Sequence, residues 1–311
     1  MKNKYFNITK ENFKWPSILI IIFLSIGLWR YFDTKNFFYV INFGYIGISL
    51  SLGTFLGDSL KKEYSQWGRR ITQLLVGLYM LVFLGLIGKE NMQIEGFFFY
   101  LLMGVFAGAS LHYAIAKIFG PIVFGRGWCG WACWTAMVLD LLPWKKPQNG
   151  RIKYLGIVRY FIFIFSLFLV MYILVKNKNM QDVISTQIYW LVVGNIIYYL
   201  IGIILSLILK DNRAFCKYVC PIPVMQKIPA IVSLLKVEIE KDKCIDCKLC
   251  EKNCPMDIKL IDYKNENKRI LSTECILCKT CINVCPKKAI RVTKGFDFAF
   301  KEKLNYANRT V

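Results

Sequence analysis

One histidine in 311 residues is the first constraint. A single imidazole cannot supply both axial ligands of a bis-histidine haem, and without a Cys-x-x-Cys-His run there is no covalent haem attachment site. Acidic residues are scarce as well: 20 Asp and Glu stand against 41 Lys and Arg, for a net charge of +21. That imbalance invites a nucleic-acid partner, and the placement of the charge argues against one. The basic residues sit mostly between long apolar runs, where membrane topology and anionic lipid account for them. Cysteine is missing before Cys129 and after Cys285. Twelve cysteines confined between those limits, eight of them within 244–285, suit metal thiolates better than a secreted disulfide framework. A cleavable signal peptide is not expected, because the first apolar run follows Trp15-Pro16 with no Ala-x-Ala-like site behind it.

What the chain does contain is apolar length. Hydrophobic residues make up 56% of it, and six segments approach the ~20 residues that span a bilayer. They are Ser17–Trp29 with its flanks, Phe37–Gly57, Ile71–Gly88, Gly96–Phe119, Leu155–Val175 and Ile188–Leu209. Basic residues alternate between their connections. Lys2, Lys4, Lys10 and Lys14 precede the first. Lys61, Lys62, Arg69 and Arg70 follow the second. Lys117, Arg126, Lys145, Lys146, Arg151 and Lys153 surround the end of the fourth. The other connections are poorer, with Arg30 and Lys35, then Lys89, then Lys176 and Lys178. The positive-inside rule then places a multi-pass protein in the cell membrane with both termini cytoplasmic.

Composition changes after the sixth segment. Residues 1–235 read as a transmembrane helical domain carrying two cysteine pairs at the cytoplasmic face, 236–293 as a small charged α+β domain, and 294–311 as a basic tail. The small domain contains a repeat. Cys244-Ile-Asp-Cys247-Lys-Leu-Cys250-Glu-Lys-Asn-Cys254-Pro255 recurs 31 residues later as Cys275-Ile-Leu-Cys278-Lys-Thr-Cys281-Ile-Asn-Val-Cys285-Pro286. Each copy is the Cys-x2-Cys-x2-Cys-x3-Cys-Pro run of two-cluster bacterial ferredoxins. Three cysteines at two-residue gaps wrap three corners of a cuboidal cluster, and the fourth reaches the other cluster. Cluster I is therefore expected on Cys244, Cys247, Cys250 and Cys285, and cluster II on Cys275, Cys278, Cys281 and Cys254. Structural zinc would favour two separated cysteine pairs, which the third cysteine and duplicated Cys-Pro do not match. Two 4Fe-4S clusters, a pseudo-symmetric fold with strands near Lys236–Glu240 and Ala289–Val292, and outer-sphere electron transfer are the expectation.

Four cysteines remain, in two Cys-x3-Cys pairs: Cys129 and Cys133 after the fourth span, Cys216 and Cys220 after the sixth. On a helix, i and i+4 share a face, so each pair is expected to present two thiols in one direction. Together they make enough ligands for a third metal centre at the membrane surface. A reactive dithiol and inert buried cysteines stay open, and Arg126, Arg213 and Lys217 favour thiolates in any case. His112, inside the fourth span, is either packed or in contact with quinone. Arg159 reads as a topology anchor, Gly104 and Gly108 as a small-residue packing pair, and Trp128, Trp131 and Trp134 as an interfacial aromatic belt.

Gly-Arg-Gly-Trp-Cys-Gly-Trp-Ala-Cys ending at Cys133, then Cys216-Lys-Tyr-Val-Cys220-Pro221, then the twin ferredoxin runs resemble the membrane polyferredoxins of the NapH/NosR type over roughly residues 125–292. The resemblance implies a subunit of an oxidoreductase system rather than a stand-alone enzyme. It would pass single electrons between a quinone pool or cytoplasmic donor and a partner redox protein; the basic excess of the small domain, read separately, suits an acidic donor such as a soluble ferredoxin or flavodoxin. A related branch implies the alternative of a maturation factor that reduces a metal for a metalloenzyme. The family has Cys-Pro at both pairs, whereas Trp134 follows Cys133 here.

Overall fold

The computed structural model describes residues 5–105, 108–177, 184–298 and 301–307, so Lys2, Lys4 and Lys178 of the charge argument lie outside the described residues. Five helices are long and apolar enough to cross a membrane. They are α1 (Lys14–Thr34, entered through a 3-10 turn at Lys10–Phe13), α2 (Phe38–Ser59), α3 (Gln66–Ile87), α8 (Leu155–Lys176) and α9 (Gln187–Leu209). Apolar side chains point outward along them, as lipid contact requires, while small residues mark the crossings. At the α2–α3 crossing a Cβ on Gly53 would lie 2.8 Å from the Gly68 carbonyl oxygen, and one on Gly68 would lie 2.3 Å from the Gly57 nitrogen.

The fourth apolar segment is present but broken. It forms α4 (Ile94–Leu102) and α5 (Ser110–Phe124). Nine residues rise about 14 Å, less than half of the hydrocarbon core, so α4 is not a span. It lies antiparallel along α8, with Ser166 donating to Glu95 at 2.9 Å and Phe98 against Phe163 at 5.3 Å. The break has a local cause. Gly104 adopts φ +66°, its N–H reaches the Leu101 carbonyl and the Val105 N–H reaches that of Tyr100, which is a Schellman ending. Nothing lies within 4 Å of where a Gly104 Cβ would be, so this glycine ends a helix rather than packing one. The α4–α5 unit still returns the chain to the side it left at α3.

Two short helices, α6 (Gly127–Trp131) and α7 (Trp134–Leu139), form a re-entrant pair. At its tip Trp134 donates to Asn195 at 2.9 Å, while its Cα is 3.1 Å from a Gly77 Cβ position. Asn195 and Gly77 lie well inside their helices, about 21 Å and 16 Å by helical rise from the Leu209 and Gln66 ends. The pair therefore dips into the membrane instead of lying on it. Arg69 and Arg213 close its base: they share Asp140 at 2.7 and 2.6 Å and donate to the carbonyls of Gly130 and Cys129, both at 2.9 Å.

After α10 (Ala214–Tyr218) and α11 (Ile222–Ala230) the chain enters the small domain. Strand β1 (Leu235–Ile239) pairs antiparallel with β2 (Ile290–Lys294), Val237 opposite Val292. Between them lie α12 (Leu249–Lys252), α13 (Leu260–Asn265) and α14 (Thr280–Val284). The 31-residue repeat is visible in the backbone. Left-handed residues fall at Asp246 and Leu277, at Lys248 and Lys279, and at Asp257 and Lys288. The chain beyond Lys294 is not a loose tail as far as it is described. Leu304 bridges to Ile258, Tyr306 bridges to Arg151, and Glu302 accepts from the Thr273 N–H at 2.9 Å. At the other end Lys61 donates its N–H to the Tyr5 carbonyl.

Candidate metal centres

Three cavities each have four cysteines in their lining. Cys244, Cys247, Cys250 and Cys285 line the first, and Cys275, Cys278, Cys281 and Cys254 the second. Each takes three sulfurs from one copy of the run and the fourth from the other copy, the crossed set expected from the spacing. Cys129, Cys133, Cys216 and Cys220 line the third, which draws on both membrane pairs.

All twelve cysteines are unpaired. Burial pushes the Cys250 and Cys275 thiols up to about 12 and that of Cys254 to about 11. Buried thiols so resistant to ionisation need a bound cation to exist as thiolates. Among the described residues no three Cys, His, Asp or Glu side chains converge as ligands of a single metal ion. Four sulfurs spread around a shared cavity instead suit a polynuclear cluster. The left-handed residues repeat, Asp246 and Lys248 in one loop and Leu277 and Lys279 in the other, and alternation of this kind is the backbone pattern that turns N–H groups toward an anion. The donor sets thus fit 4Fe-4S clusters.

The membrane pairs do not have the helical geometry expected of them. Cys129 is on α6, but α6 ends at Trp131, and Cys133 is an extended N-cap residue of α7 (φ −75°, ψ 123°). Cys216 is likewise the third residue of α10, and Cys220 follows that helix. In both pairs the break after the first cysteine lets the second swing toward the cavity, and Trp134 in place of proline does not alter this. A shared signal was available in the sequence: arginine precedes each first cysteine by three residues, at Arg126 and Arg213, and each caps its five-residue helix.

Arg126 and Lys117 line this third cavity, and further cations gather behind its wall. Arg126, Arg151, Arg159 and Lys227 converge on Glu274 at 2.6, 2.9, 2.8 and 2.8 Å. Lys217 lies between Asp211, at 2.6 Å, and Asp257. Lys117 faces the cavity with its ammonium 4.5 Å from the Trp128 ring centroid and no carboxylate partner among the described residues. With Arg69 and Arg213 on Asp140, eight cations face four carboxylates. Buried donors here also lack acceptors: Nε and Nη2 of Arg126, Nε of Arg213 and Nε2 of Gln226. A net-negative, sulfur-rich group in the cavity would answer both the charge excess and the orphaned donors. Cys129 Sγ lies 3.0 Å from Gln226 Oε1, and the opposite amide orientation would donate to a Cys129 thiolate.

Several of these residues differ in role from the sequence expectation. Arg159 is buried on Glu274 and does not snorkel. Lys217 serves two carboxylates instead of the thiols. The three tryptophans are internal: Trp131 donates to the Leu277 carbonyl at 3.0 Å, Trp134 binds Asn195 and Trp128 covers Lys117. Asp58 pairs with Lys279 at 2.9 Å. His112 packs edge-on to Trp128 at 4.7 Å and is absent from the cavity wall. Glu274 was missed altogether, although a lone acid directly before Cys275 could have drawn notice.

The small domain docks through its second cavity. Glu274 precedes Cys275, Asp257 lies three residues after Cys254, and both pair with the cations gathered at the membrane site. Trp131 meets Leu277, a Gly130 Cβ would lie 2.2 Å from the Ile276 carbonyl oxygen, and Gln66 and Lys62 donate to the carbonyls of Cys278 and Cys285. Cys129 belongs to the same apolar cluster as Val237, Cys254 and Ile276. The first cavity faces outward: Cys247 is exposed, Ile245 is 57% exposed, and Lys248 and Lys287 stand on its rim.

Two family models match the chain. A 4Fe-4S dicluster domain covers residues 236–286, and a 4Fe-4S binding domain covers 96–149 and 194–237, the segments that carry the membrane cysteines. Among curated proteins, an uncharacterized protein of Methanocaldococcus jannaschii is 28% identical over 225 residues, 71% of this chain and 85% of its own length. Ferredoxin-type protein NapH of Haemophilus influenzae is 24% identical over 206 residues, 59% of this chain and 68% of its own. Putative electron transport protein YccM of Escherichia coli is 25% identical over 199 residues, 57% of this chain and 54% of its own. No solved structure matches.

Proposed function

We propose, for a chain that is a polytopic membrane protein with 4Fe-4S binding domains related to the NapH- and YccM-type ferredoxin proteins, that its twelve cysteines hold three clusters in series. Cys244, Cys247, Cys250 and Cys285 would hold cluster I, Cys275, Cys278, Cys281 and Cys254 cluster II, and Cys129, Cys133, Cys216 and Cys220 a third. Bound clusters supply one-electron transfer, the chemistry common to the two matched 4Fe-4S modules and the named relatives. The observation that carries the reading is the crossed assembly of three four-cysteine cavities, the middle one wedged against the membrane site.

The protein's own residues have distinct tasks in this arrangement. The left-handed loop residues orient N–H groups at the sulfurs and thereby adjust potential. Glu274 and Asp257 fix the second cavity against the third, and Trp131 fills the space between them. The exposed rim with Lys248, Lys287 and Ile245 suits an acidic soluble carrier such as a ferredoxin or flavodoxin. Gln93, Tyr113 and Tyr198 also line the third cavity, and a second redox partner or quinone would be served from this site. The basic connections support a cytoplasmic location for the ferredoxin domain and both termini.

Electron paramagnetic resonance of the anaerobic protein tests this assignment. Reduction by a soluble ferredoxin with three interacting signals supports the relay. Copper reduction that is lost in Cys216→Ser while two ferredoxin signals persist would assign the membrane cysteines to metal handling instead.

A further inference from the structure

We propose that Lys117 sets the reduction potential of the membrane cysteine centre, raising it so that this centre is the electron-accepting end of the relay. The inference rests on the reading that Cys129, Cys133, Cys216 and Cys220 hold a cluster.

Lys117 lies on α5 among apolar residues of a membrane segment, a position where an ammonium is costly and calls for a function. Its side chain does not snorkel: the residue is 3% exposed, and the ammonium rests over the Trp128 ring, facing the cavity. It also differs from every other cation around the site. Arg69 and Arg213 have Asp140, the cluster of Arg126, Arg151, Arg159 and Lys227 has Glu274, and Lys217 has two aspartates. Among these cations Lys117 alone has no carboxylate partner among the described residues, and the four cysteines are the acidic groups that share its cavity. Lys117, Cys129, Cys133, Cys216 and Cys220 line the same cavity.

The consequence for electron transfer follows from charge. One electron arriving at the four-sulfur site adds one negative charge in a region walled off from water. A fixed cation beside it favours that reduced state and moves the potential upward. The same electron leaves the neighbouring ferredoxin cluster, which is oxidised by one unit. Among the described residues the cations lining the cavity of cluster I are Lys243, Lys248 and Lys287, all exposed. Its cavity opens among exposed lysines whose charge water screens. Electrons would therefore run inward, from the soluble domain to the membrane site.

The test compares full-length wild-type protein with Lys117→Gln, Lys117→Met and Lys117→Arg, purified without oxygen. Iron and acid-labile sulfide are counted, and each signal is followed by electron paramagnetic resonance during a dithionite redox titration. The proposal predicts about twelve iron per chain in all four proteins. It also predicts a more negative midpoint for one signal in the glutamine and methionine variants, unchanged ferredoxin midpoints, and a wild-type midpoint in the arginine variant. Neutral variants that keep all their iron and all their potentials would overturn it while leaving the third cluster standing. Loss of about four iron in both neutral variants, with retention in Lys117→Arg, would also overturn it by making Lys117 a requirement for assembly. A wild-type count of about eight iron with two signals would remove the underlying reading itself.

Discussion

Replacing Glu274 by glutamine isolates the contact that joins the soluble domain to the membrane domain. The carboxylate is fully buried, and four cations lie within 2.9 Å of it. Glutamine preserves size and one acceptor but leaves Arg126, Arg151, Arg159 and Lys227 without the carboxylate they share. Removing one partner of a buried ion pair costs about 3–5 kcal/mol, chiefly because the remaining charge is stranded. At about 1.4 kcal/mol per tenfold, that shifts the docked state toward separation by roughly 100- to 3,000-fold. Amide hydrogen exchange across Ser272–Cys281 reads the shift, since the Trp131–Leu277 and Gln66–Cys278 hydrogen bonds should open together. Exchange within about threefold of wild type would refute the reasoning, because it would mean that solvent already neutralises the four cations. The pH dependence has a definite sign. Burial alone would raise the Glu274 carboxyl, but Arg151, Arg126, Arg159 and Lys227 outweigh it and hold the group well below the ordinary carboxylate range. A depressed carboxyl contributes stability that is complete above its unfolded pKa and is lost as pH falls through the folded one. Docking in the wild type should thus stay constant from pH 8 down to about 5 and weaken only below the ordinary glutamate value.

Gly130→Ala should have a similar effect by a different route, since its methyl would fall 2.2 Å from the Ile276 carbonyl oxygen. A cost of about 1–3 kcal/mol is expected, visible as faster exchange at Ile276 and Leu277. Cys254→Ser and Cys285→Ser should each disturb the cluster wrapped by the other copy of the run, so each variant loses the signal of the distant loop; loss of the signal of the adjacent loop would contradict the crossed ligation. Lys248→Glu with Lys287→Glu should slow reduction by an acidic carrier about tenfold or more at low salt, with the difference shrinking at high salt. Unchanged rates at low salt would move the docking site away from the first cavity.

The ferredoxin domain was legible because ligand spacing alone dictates it. The expected strands begin or end within two residues of Leu235–Ile239 and Ile290–Lys294, and the crossed cavities follow from the two Cys-Pro runs. The membrane domain was less legible, because hydropathy reports that a segment is apolar and not how deep it travels. Gly96–Phe119 reads as one span, yet a left-handed Gly104 folds it into two helices. The helix-period rule brought each cysteine pair to one face, whereas the structure breaks each helix between the two thiols and reaches the same convergence. Glu274 was invisible for another reason: its four cations come from distant parts of the chain, and only the packed fold brings them together.

The decisive measurement is iron and acid-labile sulfide per chain in anaerobically purified wild type and in Cys133→Ser with Cys220→Ser. Three clusters predict about twelve of each in the wild type, falling to about eight in the double variant while both ferredoxin signals persist. A folded wild-type protein that carries zinc and no labile sulfide would contradict the account, as would equal iron in the two proteins.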